Sequence, residues 1–206
     1  MTSVDDDQIE QLRRLWDRYG RAAMVVVVAV VVGIVGGRFY GHHQSRQALQ
    51  AAALYSAYRQ PAHGQTAPEL AQKLRAEYPA SSYATFATLE QAAQAVQAGD
   101  LEQAAQQLRW VVDNAGQQTD RGLAGLRLAR VLLAQGKVDE AARALQDAAV
   151  GSSPSRDELE GDIALARGKP DQAREHYQRA LAGLAGDAGA AALVKLKLDA
   201  LGNREQ

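Results

Sequence analysis

Four histidines and a short run of carboxylates are the side chains from which a catalytic or metal-binding argument would have to start. His42 and His43 are adjacent, so on a helix they would point about 100° apart, and no carboxylate stands at ligand spacing from them. They read as polar residues at a membrane exit. His63 falls in a turn and His176 stands beside Tyr177 on a helix. Neither has a serine and an acid in an order that suggests a triad. Asp157, Glu158, Glu160 and Asp162 form an acidic helical patch, read as a solvated face or else as a contact surface for a basic partner. Gly183, Gly186 and Gly189 belong to an Ala/Gly linker and make no phosphate loop. The complete lack of cysteine removes disulfides, thiolate metal sites, cysteine nucleophiles and iron–sulfur ligation together. With Lys+Arg at 23 and Asp+Glu at 24 the chain has no basic footprint for nucleic acid. No enzyme activity, cofactor, metal or small-molecule substrate is expected.

The elements around these residues explain the chain better than chemistry does. Hydrophobic residues make up 47% and aromatics only 5%, so the apolar content is mostly Ala, Leu and Val, which suits helix against helix. Ala22–Gly37, AAMVVVVAVVVGIVGG, is bounded by Arg21 and Arg38. At 1.5 Å per residue it covers about 24 Å, short of the roughly 30 Å hydrocarbon core. A snorkelling Arg38 and anchoring by Phe39, Tyr40, Tyr19 and Trp16 extend it to a single transmembrane helix over 21–41. A buried strand is excluded by length. A cleaved signal peptide is disfavoured by the acids Asp5, Asp6, Asp7, Glu10 and Asp17 ahead of the run, and no cleavage site follows Gly37. Arg13, Arg14, Arg18 and Arg21 on one side outnumber Arg38 and Arg46 on the other, so residues 1–20 are expected in the cytoplasm and the C-terminal part outside. Within 1–20, Ile9, Leu12, Leu15, Trp16 and Tyr19 share one helical arc, as in an amphipathic helix lying on the bilayer or docking a partner. Gly33 and Gly37 form a G-x-x-x-G that either packs a second membrane helix or reflects ordinary glycine content.

Beyond the span the chain repeats itself. Gly99-Asp-Leu-Glu-Gln-Ala104, Gly136-Lys-Val-Asp-Glu-Ala141 and Gly168-Lys-Pro-Asp-Gln-Ala173 align, followed at matching positions by Leu108, Leu145 and Tyr177. The glycine steps bracket the tetratricopeptide period of about 34 residues. Each glycine should end the first helix of a pair at positive φ. Asp100 with Gln103 should cap the second helix as a capping box, and Pro170 should take a first helical position. The small residues Ala104, Ala141 and Ala173 let the helices approach, with Leu108, Leu145 and Tyr177 as larger plugs. The fold class is therefore all-α: the membrane helix followed by a tetratricopeptide-like solenoid rather than a generic Ala-rich bundle. A linker helix and degenerate first unit occupy 42–82, three repeats 83–185, and a capping helix 186–206. Counting from the glycines puts Phe86, Leu89, Leu126, Arg130, Leu133, Asp162 and Leu165 toward the concave groove, unless several of them simply fill the core. Carboxylate-clamp positions here hold Leu89, Ala93, Leu126, Arg130, Glu158 and Asp162, mostly without donors, so an apolar helix or extended segment is the expected ligand.

The order of acidic tail, single span and repeats resembles the YfgM-type proteins, ancillary subunits of the bacterial SecYEG translocon. The likeness runs through Asp7-Gln8-Ile9-Glu10, Arg14–Gly20, Arg38-Phe39-Tyr40, Ser45–Tyr58, Tyr83-Ala84, Leu89-Glu90, 126–131 and 159–161. It implies an inner-membrane protein with a periplasmic repeat domain, associated with SecYEG and the membrane-anchored chaperone PpiD. Such a protein helps pass emerging polypeptides to periplasmic chaperones. It also implies a cytoplasmic tail linked to restraining the Rcs response regulator. Regulation through that tail, and membership of an envelope enzyme complex, are the rival readings.

Overall fold

The computed structural model describes residues 24–26, 30–31, 46–148 and 151–202. They fall into two units, 1–50 and 51–206. In the first unit the described residues 24–26, 30–31 and 46–50 are all helical and exposed. The rest of the expected span over 21–41, with Gly33 and Gly37, and the whole tail 1–20 lie outside the described residues. Among the described residues no helix is long and apolar enough to cross a membrane.

The second unit is built of helices and turns alone among its described residues: α1 over 51–59, α2 Ala67–Glu77, α3 Ser82–Gln97, α4 Leu101–Asn114, α5 Gln118–Ala134, α6 Val138–Asp147, α7 Pro154–Ala166, α8 Pro170–Gly183 and α9 Ala188–Gly202. Consecutive helices from α2 onward pack on one another, and α3 with α5 and α5 with α7 also touch. The second helices α4, α6 and α8 make no comparable contact among themselves. A stack whose first helices meet while its second helices spread apart curves with α3, α5 and α7 on its inner side.

Three identical stops punctuate this stack. Gly99, Gly136 and Gly168 have φ of 78°, 76° and 71°. In each case the glycine N–H donates to the carbonyl three residues back, and the next N–H donates to the carbonyl five residues before it: Asp100 to Ala95, Lys137 to Leu132, Lys169 to Ala164, all at 2.9–3.0 Å. These paired bonds satisfy the last carbonyls of α3, α5 and α7 and turn the chain into the second helix.

The starts are less uniform. Asp100 accepts from the Gln103 N–H at 2.9 Å, the one half of the expected capping box that forms. A complete, reciprocal box occurs instead at Thr66 and Glu69, opening α2. Lys137 and Lys169 stand at the N-caps of α6 and α8, where an ammonium has nothing to accept with; Pro170 opens α8 as expected.

Ala104, Ala141 and Ala173 are wholly buried, and Leu108, Leu145 and Tyr177 sit beside them in the core. The core is a chain of clusters along the stack: α1–α3 around Leu70 and Leu74, α3–α7 around Leu128, Leu132 and Leu159, and α7–α9 around Tyr177, Val194 and Leu201.

Candidate interaction groove

Residues 86, 89, 93 and 96 of α3 occupy the same repeat positions as 123, 126, 130 and 133 of α5 and 155, 158, 162 and 165 of α7. The inner surface is thus three parallel rows. The first row is Phe86, Leu89, Ala93 and Val96, with Phe86 47% and Val96 44% exposed and Leu89 half-buried. Leu123, Leu126, Arg130 and Leu133 form the second, and Leu123 is likewise 42% exposed. Ser155, Glu158, Asp162 and Leu165 form the third.

Of the residues expected at the groove, Leu89 and Arg130 are brought together. They line one cavity of about 390 Å³ between α3 and α5, with Ala93, Val96, Arg127 and Val131. Phe86 is exposed one turn away, edge-on to Tyr55, which also packs against Tyr58 and Tyr83. Leu126 is buried in the core, though it also lines a second opening beside Leu123 and Ser153. Leu133 packs half-buried against the central cluster and Leu165 against the last. Asp162 is taken up by its own chain. Ala93, one of the clamp positions, also lines this cavity, whereas counting from the glycines did not put Val96 or Arg127 at the groove: Val96 ends the first row, and Arg127 follows Leu126 just off the second.

The third row is a charge network rather than a solvated face. The Lys197 ammonium on α9 donates to Glu158 Oε1 at 2.7 Å and to both oxygens of Asp162 at 2.7–2.8 Å. Tyr177 donates its hydroxyl to Asp162 at 2.7 Å, and Arg130 reaches across from α5 to Glu158 at 3.3 Å. On the other side of α7, Asp157 pairs with Arg179, and Glu160 with Arg156 and His176. Ligand atoms of Asp157, Glu160 and His176 lie within 4.8 Å of one another, but the two guanidinium groups already balance these carboxylates. All four acids of the patch are therefore paired within the chain.

At the other end of the stack, burial and the nearby Glu90 push the Tyr58 phenol up to about 12. Its hydroxyl points at the Ala87 carbonyl, 3.5 Å away. An exposed ion pair, Lys137 to Glu102, holds the Glu102 carboxyl below its usual range, chiefly through the hydrogen bond the lysine donates. Neither group faces the cavity.

A stack of helix pairs ended by left-handed glycines, with alanines at the crossings, is a tetratricopeptide architecture. The tetratricopeptide repeat-like domain family matches residues 13–203. The chain belongs to this family. Over 203 residues it is 29% identical to an ancillary SecYEG translocon subunit of Neisseria gonorrhoeae, covering 96% of this chain and 97% of that one. Proteins of the same name from Haemophilus influenzae and Escherichia coli are 28% and 29% identical, over 86% and 84% of this chain and 89% and 85% of theirs. The likeness to YfgM-type translocon subunits thus extends over nearly the whole repeat-like domain and the segment before it.

Proposed function

We propose that the chain is a membrane-anchored, non-enzymatic scaffold of the protein-translocation machinery in a bacterial inner membrane. A helix over 21–41 holds it, with 1–20 in the cytoplasm, and the linker unit 42–82, repeats 83–185 and cap 186–206 in the periplasm. The observation that carries this reading is the 96% coverage by a relative named as an ancillary SecYEG translocon subunit, which extends through the apolar run as well as the repeats. The five described residues of that run, Met24, Val25, Val26, Val30 and Val31, are helical, apolar and each more than half exposed, as lipid-facing residues would be.

The groove of the first two repeats receives an apolar segment of a polypeptide leaving SecYEG, or of a PpiD-type chaperone, and helps bring the two together. Phe86, Leu89 and Arg130 contact it. Tethering supplies the affinity that a shallow groove lacks, since a partner held at the same pore is present at an effective concentration on the order of millimolar.

The test is photocrosslinking from a probe at Ala93 of the full chain in intact membranes, followed by identification of the adducts. Translocon subunits and a periplasmic chaperone are expected. A set of neighbours lacking both overturns the proposal. Protease added to spheroplasts should digest everything after residue 42, and protection of that part would reverse the topology.

A further inference from the structure

We infer that the groove takes an α-helix from a partner polypeptide, apolar along one stripe and acidic beside it, laid lengthwise on α3. The inference rests on the groove being an interaction surface and adds the shape and charge of its occupant. Phe86, Leu89, Ala93 and Val96 follow one another at steps of three, four and three residues, the spacing with which two helices interlock side chains. All four are at least partly exposed, and from the first to the last the row rises about 15 Å, close to three helical turns. Ala93 leaves a hollow in the middle of the row, and the cavity beside it is large enough for a leucine-sized knob.

Backbone hydrogen bonding favours a helical guest over an extended one. The N–H and C=O groups of α3 are bonded within the helix or, at its two ends, to its caps, so a strand laid on this face finds no sheet edge to pair with. A helix satisfies its own backbone and loses nothing when its apolar stripe is covered.

Charge decides the rest. Arg127 and Arg130 stand on the α5 side of the cavity, and no carboxylate lines it. Arg130 directs one nitrogen toward Glu158, whereas Arg127 has no ion pair among the described residues. An acidic side chain flanking the guest's apolar stripe meets these guanidinium groups at the edge of an apolar hollow, where water screens them less. The third row cannot extend the site for such a guest, because Glu158 and Asp162 present carboxylates already committed to Lys197.

The experiment uses the full chain in zwitterionic lipid nanodiscs and fluorescein-labelled peptides of about 21 residues, read by anisotropy against empty nanodiscs. One peptide carries leucines at alternating three- and four-residue steps with glutamates beside them. A second replaces the glutamates by lysine, and a third keeps the glutamates but has a central proline. The glutamate peptide should bind at least about tenfold more tightly than either control, and Arg127→Glu should abolish or reverse the preference over lysine. Equal binding of the glutamate and lysine peptides overturns the charge assignment, equal binding of the proline peptide overturns the helix, and binding of none overturns the inference outright. Ala93→Trp fills the hollow without adding charge and separates the two levels. If it weakens all three peptides while they bind alike, the groove is the site and its guest is not an acidic helix. If binding of the glutamate peptide is unchanged by it, the groove reading falls as well.

Discussion

Thr85 is fully buried on α3, and its hydroxyl has no hydrogen-bond partner among the described residues. Its neighbour in the next turn, Thr88, is equally buried but donates to the Ala84 carbonyl at 2.7 Å. Leaving a buried hydroxyl unpaired costs about 1–3 kcal/mol, so Thr85→Val, which keeps the shape and removes the oxygen, should raise stability by about 1 kcal/mol in denaturant unfolding. Thr88→Val should not. Tyr58 gives a pH dependence of known sign. Its folded pKa is raised from 10 to about 12, so between those values the folded chain holds a proton that the unfolded chain has released. Stability contributed by this group is complete below pH 10 and is lost as pH rises toward 12, by roughly 2–3 kcal/mol at most. Tyr58→Phe should remove that part of the alkaline loss of stability while leaving unfolding at pH 8 within about 1 kcal/mol of the parent. A parallel loss in both proteins would show that the phenol is not the titrating group.

Between α7 and α8 the third repeat solves its packing differently from the other two. The plug is Tyr177 where the first two repeats use Leu108 and Leu145, and the residue across from it in the register is Gly161 where they have Ala92 and Ala129. A methyl group at Gly161 would lie 2.4 Å from Tyr177 Cε1. The ring has no room to retreat, being 1% exposed with its hydroxyl held by Asp162. Gly161→Ala should therefore destabilise the chain by about 1–3 kcal/mol despite the gain in helix propensity. Combined with Tyr177→Leu, which restores the pairing of the other repeats, the alanine should cost less than it does alone. Strict additivity of the two changes in a double-mutant cycle would show that the ring and the glycine do not compensate each other. The three turn glycines behave oppositely: nothing lies within 4 Å of a Cβ built at Gly99, Gly136 or Gly168, so their positive φ alone selects glycine there.

At the scale of the whole stack, stability is a sum of neighbouring helix contacts, so damage at one end should stay there. Helix α9 covers the last cluster with Val194 and Leu201 and neutralises α7 through Lys197. A chain ending at Gly186 should show amide exchange in α7 and α8 faster by at least tenfold, about 1.4 kcal/mol, with α3 and α4 unaffected. Uniform acceleration along the chain would mean that the repeats unfold as one body. Much of this architecture is readable from the string of residues, because it is local. The steps between Gly99, Gly136 and Gly168, the alanines five residues after each glycine and the plugs four residues further on are set by helical period and turn geometry, and these do not depend on what lies across the core. The groove was half readable for the same reason: counting from the glycines identifies the inner face of each first helix, yet does not say how deep a given side chain sits. Leu126 and Arg130 share that face, and the first is buried while the second stands at a cavity. Pairings such as Lys197 with Glu158, 39 residues away, or Arg130 with Glu158, 28 away, join different helices, and their existence turns on crossing angles and side-chain reach. That is why an acidic run that looked like a solvated face is an internal network: repetition along the chain fixes which way a helix faces, while only the packed assembly brings one helix's charge to another's.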